Sequence, residues 1–233
     1  MRQLFCRTFF VCALLGFSQC SYADIHDMTR IFHSTPTLTS FEICHSGGCA
    51  EVSAVSLSDE EWQKVSAIFE NNVQNAAKER AQIAAAIGVL ETLVGEKIGT
   101  SGDLAGTFGN SSHKGQLDCN DEAINSTTYM RLLASNGLIH LHAIEDTRTR
   151  NFFFTGWPHS TAVIRDITTG ERFAVDSWFY DNGHAATIVP FAQWKSGYKP
   201  VDSPIGKMRL AKPNADNAVV TQSNHLPVEN APQ

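Results

Sequence analysis

Several features that mark common classes of protein are absent from this sequence of 233 residues. It has no cluster of five or more Lys and Arg residues, and its formal net charge is −6. Proteins that bind nucleic acids or anionic membranes usually carry such a basic cluster, so we expect neither partner. No segment reaches the roughly 20 apolar residues of a membrane-spanning helix, so we expect no stable membrane insertion. C-x-x-C and H-E-x-x-H motifs are also missing, which argues against a thioredoxin-type redox site and against the usual zinc peptidase site.

The first 23 residues have the form of a secretory signal peptide. Two arginines accompany the short apolar run Phe9–Phe17, and Ser21-Tyr22-Ala23 then places small residues at the −3 and −1 positions of a cleavage site. A lipid anchor at Cys20 is the weaker alternative, because the three residues before it make a poor lipobox. We therefore expect cleavage after Ala23 and a periplasmic or secreted protein.

The rest of the chain has the composition of one globular domain. Of all residues 42% are hydrophobic and 18% are charged, which is typical of folded proteins. We expect a single domain at 24–200 with an N-terminal helical part. Residues 201–233 contain no aromatic residue and are rich in Pro, Asn, Ala and Val, which predicts a mostly disordered tail.

The periodicity of the apolar residues predicts three helices and several short strands. The expected helices lie at about 58–76, 83–94 and 118–135. The expected strands lie at about 41–44, 52–55, 138–144, 157–164 and 172–178, with one further short element at 188–194. Ser58 and Glu61 have the spacing of a capping box at the start of the first helix. Residues 99–116 form a glycine-rich loop, and long loops inside domains are often functional.

We expect three different roles among the six cysteines. Three of them lie in the expected signal peptide. Cys44 and Cys49 are separated by His-Ser-Gly-Gly, which allows a tight turn, so we expect a disulfide between them in an oxidising compartment. Two free thiols are the alternative. Cys119 is then left without a partner, which indicates either a reactive thiol or a buried, inert one.

Cys119 lies at the N-terminus of the third predicted helix. The unpaired backbone N–H groups and the helix dipole favour an anion there, so we expect a lowered thiol pKa and an activated nucleophile. The same N–H groups could stabilise an oxyanion on a substrate carbonyl. The neighbouring acids Asp118, Asp121 and Glu122 oppose the thiolate, so a nearby imidazolium is needed to offset them.

His159 and Asp176 are the candidates for base and orienting carboxylate. They lie on consecutive predicted strands, and an even-numbered hairpin loop would place them on the same face as near neighbours. A carboxylate beside a histidine fixes one tautomer and supports the imidazolium. Taken singly, His159 could be structural and Asp176 could cap a turn. Together with Cys119 they make up the residue set that nucleophilic catalysis requires.

The segment from Leu117 to about Tyr198 resembles the bacterial transglutaminase-like cysteine proteinases, which have a papain-like fold and include periplasmic enzymes that cleave adhesins. The matching motifs are Asp118-Cys119-Asn120-Asp121, Pro158-His159 and Ala174-Val175-Asp176-Ser177-Trp178. The resemblance implies an α+β fold in which a helix carrying the cysteine packs on a small antiparallel sheet. It also implies a Cys119–His159–Asp176 triad and acyl chemistry on an amide, with a protein, peptide or other amide as substrate.

In that family, acidic residues flanking the catalytic cysteine bind calcium. Asp118 and Asp121 match this pattern, whereas Asn120 stands where an acidic residue is expected. The resemblance therefore implies a calcium site with one charge fewer, and calcium needs several oxygen ligands. The alternative is that these residues cap the helix. No other cofactor is expected to be required.

A zinc site is a weaker alternative. His140 and His142 lie on one face of a predicted strand, and with His159 and Asp176 they could form a zinc site.

Other residues near the proposed triad in sequence have two interpretations. Asn110 and Gln116 could supply an oxyanion-hole amide, although the polarity of a loop explains them equally well. The aromatic residues are expected in the core or, alternatively, in the walls of a substrate cleft. They are Phe152, Phe153, Phe154, Trp157, Trp178, Phe179, Tyr180, Trp194 and Tyr198.

The sequence thus leads to one main hypothesis, an exported thiol-dependent hydrolase of the cysteine peptidase or amidase kind. An acyltransferase of the transglutaminase type is an alternative. A non-catalytic periplasmic binding or assembly module with the same fold is a third interpretation, and it predicts an inaccessible Cys119 or a His159 too distant to share its proton.

Overall fold

The computed structural model describes residues 34–70, 75–108, 114–150 and 158–210, which form an α+β structure as expected. The helices are α1 (Asp59–Ser66), α2 (Ala76–Ile98), α3 (Cys119–Ser135), α4 (Phe191–Lys195) and α5 (Pro204–Leu210). A short 3-10 helix, Ala67–Phe69, follows α1. The strands are β1 (Phe41–His45), β2 (Glu51–Val55), β3 (His142–Arg150), β4 (His159–Asp166), β5 (Arg172–Asp176) and β6 (Thr187–Pro190).

Local capping explains where the principal helices begin and end. The capping box of Ser58 and Glu61 opens α1, as predicted. Asp118 caps α3. The Asp121 side chain accepts a hydrogen bond from the backbone N–H of Asp118, which completes a second capping box. Gly99 ends α2 with a φ of 80°, a left-handed conformation that glycine adopts without steric cost.

The described strands form two antiparallel sheets. β1 and β2 pair with each other, and the four-stranded sheet has the order β3-β4-β5-β6. β4 is an inner strand, and its residues Ala162, Val163 and Ile164 are fully buried. α3 packs on β4, and the hydrogen bond from Ser160 to Asn120 places the start of the helix near the start of that strand.

The main core joins both sheets to α2 and α3. Its fully buried side chains come from all these elements, so this cluster holds the two sheets and the two helices together. They include Ile43, Ile83, Ile87, Leu90, Met130, Leu132, Leu133 and Ile164.

Several predicted boundaries differ from the structure. The first helix, predicted at 58–76, ends at Ser66 and is followed only by the 3-10 helix Ala67–Phe69, and the second begins at Ala76 and not at 83. The strand expected from residue 138 begins at His142 and continues to Arg150, because residues 138–141 connect it to α3. The expected tail at 201–233 begins with ordered chain: α5 spans Pro204–Leu210, and the Ser203 hydroxyl accepts a hydrogen bond from the N–H of Gly206. Folded structure therefore extends to residue 210, past the predicted boundary at 200.

The expected signal peptide and the rest of the tail, residues 211–233, lie outside the described residues. Within the described residues, no helix has the length and apolar character needed to cross a bilayer.

Candidate active site

His159 and Asp176 lie side by side in the sheet. Cross-strand pairs of β4 and β5, such as Ala162 with Val175, have residue numbers whose sum is odd, as the expected hairpin requires. His159 Nε2 is 2.7 Å from Asp176 Oδ2. Both residues are only 2% exposed, so this hydrogen bond is shielded from water.

The hydrogen-bond pattern assigns the tautomer of His159. An ionised carboxylate only accepts hydrogen bonds, so the ring proton that faces Asp176 lies on Nε2. Nδ1 is buried and has no hydrogen-bond partner in the described part of the chain. Its lone pair is therefore available to accept a proton.

Trp194 is a second partner of Asp176. Its indole N–H donates to Asp176 Oδ2 over 2.7 Å, and its ring centroid is 5.8 Å from that of His159. The carboxylate oxygen therefore receives two N–H groups, which hold it in place. From the sequence, Trp194 was only one of several aromatic candidates near the triad. Its hydrogen bond to Asp176 spans 18 residues, and no local motif predicts such a contact.

Cys119 and His159 share the same aromatic neighbours. Cys119 forms a small buried cluster with Trp178 and Phe179. The imidazole centroid of His159 is 4.5 Å from Trp178 and 5.5 Å from Phe179. Cys119 and His159 thus share two aromatic neighbours, and His159 contacts Asp176, although no hydrogen bond joins the Cys119 thiol to Nδ1 in the described structure.

The environment of Cys119 does not favour a thiolate in the resting state. Burial raises the pKa of the thiol to about 11, and the charges of Asp118 and Asp176 act in the same direction. The backbone N–H groups of Ser160 and of Cys119 itself lower the pKa by less. The lowered pKa expected from the helix N-terminus is therefore wrong: burial of the thiol outweighs the two backbone N–H groups.

Polar contacts fix the start of α3 against the sheet. The Ser160 hydroxyl donates to Asn120 Oδ1 over 2.8 Å, next to both Cys119 and His159. Ser177 donates its hydroxyl to Glu122, one residue beyond Asp176. These contacts join the neighbours of each triad residue, so they set the position of the nucleophile relative to the base.

The disulfide loop also contacts the start of α3. Cys44 and Cys49 form a disulfide, which confirms the predicted pairing. The N–H groups of Gly47 and Cys49 donate to Asp121, at 2.8 and 2.6 Å, and that of Gly48 donates to Asp118 at 2.8 Å. The loop is thus a nest of backbone donors filled by the two carboxylates.

The hydrogen bonds of Asp118 and Asp121 bear on the expected calcium site. Asp118 Oδ1 accepts the N–H groups of Asn120 and Asp121, so each of the four carboxylate oxygens already has a backbone donor. Burial raises the pKa of Asp121 to about 7, with the charge of Asp118 as the next cause. The described residues also contain no cluster of three or more His, Cys, Asp or Glu suited to a metal. In this arrangement the two residues cap the helix and bind the disulfide loop, and the calcium site stays a prediction.

The four residues of the zinc alternative do not come together. His142 pairs in register with Asp166, whereas His159 lies at the other end of β4. At about 3.3 Å per residue, the backbones of the two histidines are roughly 20 Å apart along the sheet. His142 is held by Glu79 at 2.8 Å and Arg80 at 3.1 Å.

The glycine-rich loop approaches the site through Trp178. The indole N–H of Trp178 donates to the Thr107 carbonyl over 2.8 Å, and Phe108 packs edge-on against the same ring at 5.0 Å. Gln116 is used within this loop: its amide donates to Gly102 and accepts from Leu104 and Thr107. Loop structure therefore accounts for Gln116 without an oxyanion role.

The remaining aromatic candidates are buried, partly buried or outside the described residues, and Tyr180 and Tyr198 are the partly buried ones. Trp178, Phe179 and Trp194 are buried around His159. Asn110, Phe152, Phe153, Phe154 and Trp157 lie outside the described residues.

A group of buried acids lies behind the site. Burial raises the pKa of Glu91 and of Asp103 to about 7 each, and raises that of Glu122 well above its usual range. Glu91 accepts the N–H of Gly183, and Asp103 accepts that of Leu117. These acids therefore link α2 and α3 to the loops on either side of the site.

Comparison with known proteins adds no further constraint, since no family model, curated protein or solved structure matches this chain.

Proposed function

We propose that this protein is a thiol-dependent hydrolase of the cysteine peptidase or amidase kind, with a papain-like arrangement of Cys119, His159 and Asp176. The observation that carries the proposal is the His159 ring, which is hydrogen-bonded to Asp176 through Nε2. Its Nδ1 has no hydrogen-bond partner among the described residues and lies beside the cluster that holds Cys119. A base with a fixed tautomer next to a thiol at a helix start is the combination that acyl transfer requires.

The raised pKa of Cys119 determines how the reaction begins. Because the resting thiol is protonated, His159 Nδ1 takes the proton as sulfur attacks the carbonyl carbon of an amide or ester. Asp176 supports the imidazolium that forms. Asp118 caps the N–H groups of Asn120 and Asp121, which leaves the N–H of Cys119 to bind the oxyanion.

The second half of the reaction releases the acyl group. The imidazolium returns its proton to the leaving amine or alcohol as the carbon–heteroatom bond breaks, which leaves a thioester on Cys119. His159 then takes a proton from water, and the resulting hydroxide attacks the thioester carbonyl. The carboxylic acid departs, and the thiolate regains a proton. An amine in place of water would make the protein an acyltransferase.

An exported location is part of the proposal. The disulfide of Cys44 and Cys49 supports it, because such bonds persist in oxidising compartments. The signal-peptide pattern of the first 23 residues points the same way.

The test is labelling of the purified protein with a peptide-amide electrophile that reacts only with an activated cysteine. We expect the wild type to be labelled, Cys119→Ala not to be labelled, and His159→Ala to lose most of the labelling. His140→Ala is the matched control, because this histidine is exposed and remote from the site. Undiminished labelling of Cys119→Ala would refute the nucleophile assignment.

One observation favours a second candidate, a non-catalytic binding or assembly module with the same fold. Cys119 is only 8% exposed, and its thiol makes no hydrogen bond to His159 Nδ1 in the described structure. Hydrogen bonds of this kind are often long before a substrate binds, so the geometry is compatible with both candidates. Equal, background-level labelling of wild type and His159→Ala, both folded, would favour the binding module.

A further inference from the structure

Arg150 is a buried cation at the end of β3, opposite His159 in the register of β3 and β4. It is 3% exposed, and its Nη1 donates to the carbonyl oxygens of Trp194, at 2.6 Å, and Tyr198, at 3.2 Å. Its guanidinium carbon lies 4.8 Å from the centre of the Trp194 ring. The side chain therefore holds both the backbone and the ring of Trp194.

The contacts of Arg150 continue into the triad. Trp194 donates its indole N–H to Asp176 Oδ2, the oxygen that also contacts His159 Nε2, each over 2.7 Å. Displacing Trp194 would remove one of the two donors that hold the carboxylate. Arg150 is thus connected to the His159 imidazole through Trp194 and Asp176. Within the described contacts it makes no direct hydrogen bond to Cys119 or His159.

The charge of Arg150 is not neutralised by an ion pair within the described residues. Its Nε also lacks a hydrogen-bond partner there. Burial lowers the pKa of the guanidinium, and the charges of Asp176 and Cys119 oppose that change. This interaction is reciprocal, so a cation stabilised by the Cys119 thiolate stabilises that thiolate in turn.

We propose that Arg150 is a positioning residue of this site, which holds Trp194 against Asp176 and favours the thiolate form of Cys119 through its buried positive charge. The proposal rests on the proposed function for its role in catalysis. The Arg150 guanidinium then adds a second positive charge to the His159 imidazolium expected from the sequence. Both offset the carboxylates that neighbour Cys119.

The charge is tested with Arg150→Met, which keeps the length of the side chain, and with Arg150→Lys, which keeps the charge. The readout is the rate at which iodoacetamide alkylates Cys119 at several pH values between about 7 and 9, where only the thiolate reacts. We expect Arg150→Met to react several-fold more slowly throughout, because the thiolate loses a nearby buried cation. Arg150→Lys should recover most of the rate.

A purely structural role predicts the opposite sign, because loosened packing would expose Cys119 and speed its alkylation. An Arg150→Met rate equal to or above that of the wild type would therefore overturn the charge assignment. If Arg150→Met does not fold, Arg150→Gln keeps a donor for the two carbonyls, and the same slowing is expected. The 13Cβ shift of Cys119 in alkaline solution reports its ionisation even where the reagent has no access.

The positioning role is tested with Trp194→Phe, which keeps a ring beneath the guanidinium but removes the N–H that contacts Asp176. Imidazole 15N shifts should show a loss of the Nε2-protonated tautomer of His159 in Trp194→Phe and in Arg150→Met. An unchanged tautomer in both variants would contradict this role. Neither readout requires turnover, so failure of the proposed function, seen in the amide-electrophile labelling, is distinguishable from failure of this proposal.

Discussion

Cys49 donates its backbone N–H to Asp121 Oδ1 over 2.6 Å, which connects the disulfide loop to the helix that begins with Cys119. All four residues from Ser46 to Cys49 have positive φ, between 59° and 80°. This conformation is unfavourable for Ser46 and Cys49, which are not glycine. The disulfide and the carboxylates of Asp118 and Asp121 stabilise it, so the loop and the helix start depend on each other.

Replacing both disulfide cysteines, as Cys44→Ala with Cys49→Ala, should lower the free energy of unfolding. Loss of the closed loop alone corresponds to about 2 kcal/mol in the chain-entropy model. The three N–H bonds to Asp118 and Asp121 should weaken as well, because the unconstrained loop can leave its left-handed conformation. The measurement is urea unfolding followed by tryptophan fluorescence.

Cys119→Ala is the control for the disulfide experiment, since it removes a cysteine that is not part of the disulfide. It should change the unfolding midpoint less than the double replacement does. A double variant with the wild-type midpoint would show that the loop adopts this conformation without the disulfide.

The buried acids make the stability of the fold depend on pH. Burial raises the pKa of Glu91 and of Asp103 to about 7. A carboxyl group with a raised pKa contributes stability fully below its unfolded pKa, near 4, and loses that contribution as the pH rises through its folded pKa. For each such carboxyl group, the free energy of unfolding falls by about 1.4 kcal/mol per pH unit between the two pKa values. We therefore expect a Tm that is several degrees lower at about pH 8 than at about pH 5.

Glu91→Gln identifies the group responsible, because it removes one titrating carboxyl and keeps the shape of the side chain. The decrease in Tm between the two pH values should be smaller in this variant than in the wild type. Glu60→Gln, at an exposed position of α1, should leave the loss unchanged. A Tm that rises with pH over this interval in the wild type would contradict the assignment of raised pKa values.

The local parts of the fold could be predicted from the sequence because they depend on residues close together in the chain. The Ser58–Glu61 capping box, the helix start at Asp118 and the Cys44–Cys49 disulfide are all set within a few residues. The register of β4 and β5 is the one that an even-numbered hairpin loop gives, which was the condition for placing His159 and Asp176 on one face. The early start predicted for β3 shows the limit of this reasoning, since apolar residues in a connection resemble a strand.

The site was less accessible from the sequence, because its electrostatics depend on long-range contacts. The approach of His159 and Asp176 was predictable from strand alternation. The raised pKa of Cys119 was not, because burial of the helix start depends on the whole fold. Arg150 was missed for the same reason: its partners Trp194 and Tyr198 are more than 40 residues away, and no motif marks them.

Gly88 marks a close approach between α2 and the loop before β6. A Cβ at this position would lie 2.7 Å from the Gly183 carbonyl oxygen and 2.9 Å from the backbone of His184. Since both neighbours are backbone atoms, Gly88→Ala should destabilise the protein by about 1–3 kcal/mol, despite the higher helix propensity of alanine. Gly102→Ala is the matched control, because nothing lies within 4 Å of its Cβ. Equal unfolding midpoints for the two variants would contradict this close packing.

The pH dependence of Cys119 alkylation distinguishes two ways in which the thiol can be activated. With a thiol pKa raised to about 11, chiefly by burial, the thiolate fraction and the rate with iodoacetamide should rise about tenfold per pH unit from about pH 7 to pH 9. A preformed thiolate–imidazolium pair would instead give a rate that levels off below about pH 8, as activated cysteines do. Cys119→Ser provides the blank, since Cys44 and Cys49 are joined in the disulfide. A plateau that disappears in His159→Ala would contradict the protonated resting thiol and would make the ion pair the attacking species.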